Sequence, residues 1–307
     1  MNKIRLTPRL QLATLLCVLA APAAAWTEPG HAVIAEIAYD ILQREDPQRL
    51  DEIVAAIDKH PDQASFRVAV NGASGEERQR RLLSQCSRWA MDAAGSVFDH
   101  PTWHVGGRDL SREHDYAVDA DNRFGNATQA FTLNLATWQD STATAAERAL
   151  SLCWVMHIVG DVHAPTHVAQ EVSSTFPQGD RWGTRQFVRD QPDATAVGLH
   201  RYWDFAISKD SDPDAARRVA AQIAATFAGK IGRPDDETDI DAAFSTWVDE
   251  TFALAQSAAY GPDLVTGTTA DSAPVLPESY RDRTRAASAR QAALAGSRLA
   301  WILMRDR

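Results

Sequence analysis

The sequence predicts an all-α fold: a single helical domain with long loops. Apolar residues recur at 3- and 4-residue steps through most of the chain, the period of a helix with one buried face. The same segments are rich in Ala and poor in β-branched residues, and no run of residues alternates polar and apolar as strands would.

The first 25 residues stand apart. Lys3, Arg5 and Arg9 precede the apolar run "LQLATLLCVLAAPAAA", which closes on Ala23-Ala24-Ala25. A basic start, a short apolar stretch and an A-x-A end describe an export signal cleaved before Trp26. The apolar run is too short to span a membrane, and no later stretch reaches the 18 or so apolar residues that would. Cys17 lies inside the run without the small-residue setting of a lipid attachment site. The expected product is therefore residues 26–307, secreted or periplasmic.

Removing three bases and no acid takes the formal charge from −10 for the whole chain to −13 for residues 26–307. Such a protein does not hold nucleic acid through a simple basic patch. If it handles phosphates, bound metal ions must supply positive charge. Two cysteines remain, Cys86 and Cys153, both in apolar helical patterns. A disulfide and two inert thiols fit the sequence equally well, and two thiols alone do not form a structural zinc site.

In chain order, "HAVIAEIAYDILQRE" places Val33, Ile34, Ile37, Ala38 and Ile41 on one helical face. "ALSLCWVMHIVGDV" is apolar almost all round, the pattern of a central buried helix. "AARRVAAQIAATFAGKI", "DAAFSTWVDETFALAQSAAY" and "RTRAASARQAALAGSRLAWILMRDR" continue the helical style. Long loops are expected around 93–126, 171–199 and 261–279. The Pro/Ser/Thr-containing stretch 265–277 reads as a loop before the last helix, and with no repeat or linker in view one domain, 26–307, is the simplest organisation.

The stretch "HIVGDVHAPTH", residues 157–167, concentrates three of the nine histidines. His157 and Asp161 are four residues apart and share a helix face. Pro165 ends or bends that helix, so His167 can turn back toward the same space. "GLHRYWDFAI" repeats the spacing with His200 and Asp204. Each pair could be an ordinary core histidine with its carboxylate partner. Against that, Asp161 sits in an otherwise apolar helix, where a carboxylate is costly unless paired or bound to metal. Imidazole and carboxylate ligands on facing helices suit Zn²⁺. His31 follows close behind Trp26, whose α-amino group, freed by cleavage, has a pKa near 8 and could bind a metal with its own carbonyl.

Taken together, the Trp at the processed terminus, the "GH" behind it, "HIVGDVHAPTH", "LHRYWD", "FPQGDRWG" and the closing "AGSRLAWIL" resemble the S1/P1 nucleases, exported zinc enzymes related to the zinc phospholipases C. The likeness spans most of residues 26–307. It implies three zinc ions in one cleft. Trp26 and His31 correspond to ligands of one, and His167, His200 and Asp204 to ligands of a second. His157 corresponds to a ligand of the third, with Asp161 bridging to the Trp26 ion and orienting the attacking water as the catalytic carboxylate.

The third site also takes an Asp and a His from "RWAMDAAGSVFDHPTWHV", similar to the family's W-P-D-x-I-R and P-T-W-H-Y. The His is His104. The Asp is assigned to Asp92, although the family acid stands one residue earlier, where this chain has Met91. Further departures are Gly107, where fungal members carry a base-recognising acid, and Trp182 and Thr184, which replace a Gly and the Asn of G-G-N. His163 matches a histidine that is not a ligand in the plant-like motif. His60, His100 and His114 match nothing and are expected to be solvated, while Trp89 and Trp103 are expected in the core.

The expected activity is hydrolysis of single-stranded RNA or DNA to 5′-nucleotides, with 3′-nucleotidase activity beside it. Single-stranded nucleic acid or a nucleotide is the partner, and a monomer is assumed. A phospholipase C-like zinc phosphodiesterase is the first alternative, though the long separation of His167 from His200 and the Asp closing "LHRYWD" favour the nuclease. An exported protein that binds zinc without catalysis is the second.

Overall fold

The computed structural model describes residues 26–119, 122–235 and 238–305. The proposed signal, Cys17 included, lies outside them. Among the described residues the chain forms α1 (Glu28–Glu45), α2 (Pro47–Ile57), α3 (Gln63–Ala69), α4 (Gly75–Asp92), α5 (Ala127–Gln139) and α6 (Ala145–Asp161). The short helices α7 (Pro165–Val168) and α8 (Leu199–Asp204) follow, then α9 (Pro213–Phe227), α10 (Ile240–Leu254), a π-helical turn (Ala255–Ala259) and the long α11 (Glu278–Arg305). The fold is mainly helical, as the periodicity predicts. No helix among the described residues is long and apolar enough to cross a membrane.

The expected loops are not wholly irregular. They carry β1 (Gly106–Leu110), β2 (Arg123–Gly125), β3 (Ala169–Glu171), β4 (Phe187–Val188) and β5 (Val197–Gly198). β1 pairs antiparallel with β2 and parallel with β3, and β4 pairs with β5. Segments such as "GGRDL" have neither alternation nor β-branched residues, so nothing in them signals a strand.

Local chemistry sets the boundaries that matter for the site. α6 starts at a capping box: Thr144 Oγ1 accepts from the Glu147 N–H, and Glu147 accepts from the Thr144 N–H. It ends at Asp161, and Pro165 then opens α7 with its fixed φ. Every residue from Ser151 to Asp161 is buried, as expected of a central helix. The larger apolar core gathers around α1, α4, α6 and α11, and holds Trp26, Trp89, Trp154 and Trp301. A smaller one holds Leu199, Trp203, Tyr260 and Tyr280. The two adjoin at Val168 and Ala169, one residue beyond His167.

Cys86 and Cys153 form a disulfide between α4 and α6, which resolves the ambiguity left by the sequence. His60 departs from expectation. It is fully buried between Phe66 and Trp89, and its Nδ1 accepts from the Asp62 N–H. His100 stacks on Trp103 at 3.8 Å, while His114 is exposed. Trp89 is in the core, and Trp103 is half-buried against it.

Candidate metal centre

α6 brings His157 and Asp161 to the same buried face, one turn apart. Asp161 is the focus of the first group. His31 Nε2 lies 3.1 Å from its Oδ1, and His104 Nδ1 and His157 Nε2 each lie 3.2 Å from its Oδ2. His104 Nδ1 and His157 Nε2 are 2.8 Å apart, and the His31 and His157 rings stack at 4.1 Å. His31 reaches this position because α1 crosses α6 at Gly160, where a Cβ would stand 2.7 Å from His31 Nδ1. No side chain larger than hydrogen fits there without moving the imidazole.

The second group is His167 on α7 with His200 and Asp204 on α8. His167 Nε2 and Asp204 Oδ1, and His200 Nε2 and Asp204 Oδ2, are each 3.5 Å apart. Their rings stack at 4.6 Å. His31, His157 and Asp161 form one arrangement competent to hold a cation, and His167, His200 and Asp204 a second, all six buried.

Backbone carbonyls fix which nitrogen each imidazole presents. His157 Nδ1 donates to Ser87 O at 2.8 Å, His167 Nδ1 to His104 O at 2.6 Å and His200 Nδ1 to Trp182 O at 2.9 Å. A carbonyl only accepts, so each Nδ1 carries the proton and each Nε2 turns a lone pair toward the carboxylate of its group. Bonds of this kind from the far ring nitrogen to a carbonyl orient metal-binding histidines.

The electrostatics point the same way. Burial, and then the neighbouring His157, lower the His31 pKa to about 3. Burial also lowers that of His104. Both rings are thus neutral bases at pH 7. For Asp161 burial acts upward, but His157, His104 and His31 outweigh it and hold the carboxyl well below its ordinary value. Asp204 goes the other way. Burial and the Asp161 charge raise it well above its ordinary value, against the pull of His200.

Asp161 Oδ1, Asp204 Oδ1 and both His31 nitrogens are sealed from solvent without a well-aligned hydrogen-bond partner. Such burial is costly for each atom. A cation in the first group would engage Asp161 Oδ1 and one nitrogen of His31, and a cation in the second would engage Asp204 Oδ1 and favour its ionised form. Nitrogen and oxygen donors in this number fit Zn²⁺.

Trp26 is buried beside both groups. Its indole Nε1 donates to Gly160 O at 2.9 Å, the carbonyl before Asp161, and the next residue, Thr27, donates its N–H to Asp204 O at 3.3 Å. Residue 26 is therefore anchored beside the backbone of both Gly160 and Asp204.

Asp92 is not brought in. It ends α4 with its carboxylate accepting from Gln85 Nε2 at 2.7 Å and lying 4.0 Å from Arg88. One residue of helix is a rotation of about 100°. The buried face of α4 carries Cys86, Ser87, Trp89 and Ala90, so an acid at 92 in place of 91 turns toward Gln85 and Arg88. His163 is buried off the site: its Nδ1 donates to Val159 O at 2.7 Å, and its Nε2 meets Arg298 Nη1 at 2.9 Å. Burial and the Arg298 charge lower its pKa to about 3.

Sequence reasoning missed the buried carboxyl of Asp180, which organises the loop before α8. It accepts from the Glu171 N–H, from Gln186 Nε2 at 2.7 Å and from the Tyr260 hydroxyl at 3.0 Å. The sequence holds it only as the Asp of "FPQGDRWG".

No curated protein sequence matches the chain at a significant level. The family model of the S1/P1 nucleases matches residues 26–305, beginning at Trp26. By that match, over nearly the whole of the described chain, the protein belongs to the S1/P1 nuclease family.

Proposed function

We propose that residues 26–307 act as an exported zinc phosphodiesterase, which cleaves single-stranded RNA or DNA to 5′-nucleotides and also removes 3′-phosphates. The observation that carries the reading is the convergence of two buried His/Asp groups, with three Nε2 lone pairs fixed inward, in a chain of a nuclease family. Residues 1–25 would direct export, and their removal would free the amine of Trp26.

In this reading Trp26 and His31 would hold one zinc, His104 and His157 a second, and His167, His200 and Asp204 a third, with Asp161 serving the first two. Zinc there supplies Lewis acidity, stabilising charge on phosphate oxygens and bringing the pKa of water toward 7. Asp161, its carboxyl held well below the ordinary value, orients the attacking water and accepts its hydrogen bond. The neutral imidazoles of His31 and His104 keep their lone pairs for the metal instead of protons. Three divalent ions also answer the charge problem, since they counter locally the −13 that would repel a polyanion.

Incubating the processed protein with single-stranded oligonucleotides, and separately with phosphatidylcholine vesicles, tests the reading. Release of 5′-nucleotides from the first, abolished by chelation and restored by zinc, is expected. Hydrolysis of the lipid alone would transfer the site to a phospholipase, and metal binding with neither activity would leave a zinc-binding protein.

A further inference from the structure

Three carbonyls fix the tautomers of His157, His167 and His200, and they are not held alike. Ser87 O lies inside α4, and His104 O follows the 3₁₀ turn Pro101–Trp103. Trp182 O instead sits in a turn of left-handed backbone. Arg181, Trp182 and Gly183 have φ of 53°, 60° and 84°, and the first two are the only positive values outside glycine among the described residues. Bulky residues avoid that region, and where they persist in it the surroundings enforce it. His200 meets this turn twice, because its backbone N–H also donates to Gly183 O at 3.4 Å. A Cβ at Gly183 would stand 3.0 Å from the His200 nitrogen, so the turn closes directly on α8.

Asp180 is what enforces the turn. Its carboxyl is fully buried and accepts from the Gly183 N–H across the two left-handed residues. It is also paired reciprocally with Glu171: the Asp180 N–H donates to Glu171 O at 2.9 Å, and the carboxylate accepts from the Glu171 N–H at 3.1 Å. Glu171 ends β3, which begins two residues beyond His167. Asp180 therefore ties the turn that orients His200 to the strand that leads away from His167.

The other carboxylate oxygen takes Gln186 Nε2 and the Tyr260 hydroxyl. Gln186 O in turn accepts from the N–H of Leu199, the first residue of α8, at 2.7 Å. Burying a carboxylate is costly, and a loop that only had to connect β3 to α8 would not need one. Four converging donors do need one, since an amide side chain in its place has a single acceptor oxygen and turns donors toward the rest.

We propose that Asp180 is a positioning residue for the His167/His200/Asp204 group: by clamping the left-handed turn it holds Trp182 O on His200 Nδ1 and so keeps His200 Nε2 free for the metal. The proposal rests on the zinc reading of that group and deepens it. Asp180 acts through the backbone of Gly183 and Trp182.

The test compares wild type with Asp180→Ala, Asp180→Asn and Gly183→Ala, and with Phe244→Ala, which opens the larger core beside Phe131. The His200 tautomer is read in the zinc-free proteins from its ring-nitrogen NMR shifts, and zinc affinity is read ion by ion against a competing chelator. In wild type His200 should carry its proton on Nδ1. Asp180→Ala should show both tautomers, hold one zinc ion about tenfold more weakly and leave the others at wild-type affinity. Gly183→Ala strains the same turn with the carboxyl intact and should do the same, which keeps the test open should Asp180→Ala not fold. Asp180→Asn retains an oxygen for the Gly183 N–H and should keep the wild-type tautomer. Phe244→Ala should lower Tm with the tautomer and zinc affinities unchanged. A wild-type tautomer in Asp180→Ala or Gly183→Ala, mixed tautomers in Asp180→Asn, or the same selective loss of zinc in Phe244→Ala overturns the proposal. Failure of wild type to bind zinc at this group contradicts the zinc reading instead, and the tautomer arm still decides the role of Asp180.

Discussion

The indole of Trp26 donates to the carbonyl of Gly160, the residue that precedes Asp161 at the end of α6. Together with the Thr27 N–H to Asp204 O bond, it pins the start of the described chain against the ends of two helices that carry a carboxylate each. A backbone nitrogen so placed is useful to a metal only as an amine, because an amide has no comparable lone pair to give. Protein bearing an extra Met or a tag directly before Trp26 should therefore lose one zinc and most of its activity, and proteolysis that regenerates Trp26 should restore both. Full zinc and turnover in the extended protein would make Trp26 only a packed aromatic.

Asp161 and His163 are two residues apart and separate cleanly. Asp161→Asn removes the charge that His31, His104 and His157 surround, and turnover should fall by more than about a hundredfold with loss of zinc. His163→Ala strips the buried Arg298 of a partner, an effect on stability of about 1–3 kcal/mol, with zinc content unchanged. Similar turnover in the two variants would contradict this assignment of the helix face.

Asp92, engaged by Gln85 and turned away at the end of α4, should be dispensable. Asp92→Asn is expected to keep wild-type zinc content, as read by elemental analysis. Loss of one ion in that variant would mean that the end of α4 rotates on metal binding.

The Cys86–Cys153 bridge lies next to Ser87, the residue that fixes the His157 tautomer. The bond closes a loop of 67 residues. On the chain-entropy model that stabilises the fold by about 4 kcal/mol. Replacing both cysteines by Ala should lower the denaturation midpoint accordingly and weaken zinc retention. An unchanged midpoint would show that α4 and α6 hold their register without it.

Asp180 gives a pH dependence of defined sign. Burial raises its pKa to about 6, against the Gly183 N–H, Gln186 and Tyr260 donors. The ordinary value near 3.9 applies to the unfolded chain, so between about pH 4 and 6 the folded state binds the extra proton, and its stability falls as pH rises. The free-energy difference between wild type and Asp180→Asn should shrink by up to about 3 kcal/mol from pH 4 to 7. Measuring the difference cancels the titration of metal ligands common to both. A difference that grows with pH would mean that the donors outweigh burial.

Much of the helical frame was legible because it rests on periodicity: α1, α6 and α11 each announce a buried face. His157–Asp161 and His200–Asp204 were legible because a four-residue spacing is a contact on any helix. His31 and Trp26 were suggested by the cleavage site, but nothing local says that α1 will cross α6 at Gly160. The short strands around Gly107 and Phe124 gave no signal, being defined by partners distant in sequence. Asp92 shows the limit of motif alignment, in which one residue of offset is small along the chain and a quarter-turn or more around a helix. Burial of His60 between Phe66 and Trp89 was likewise a tertiary fact that composition does not carry.

In the proposed enzyme, Trp26 and the two His/Asp groups hold a zinc cluster that performs the hydrolysis. Chelated protein processed to Trp26 should be titrated with zinc while bound metal and cleavage of a single-stranded oligonucleotide are followed together. Three ions per chain are expected at saturation, with full turnover reached only as the third is taken up. Full turnover with fewer than three ions bound would contradict that expectation.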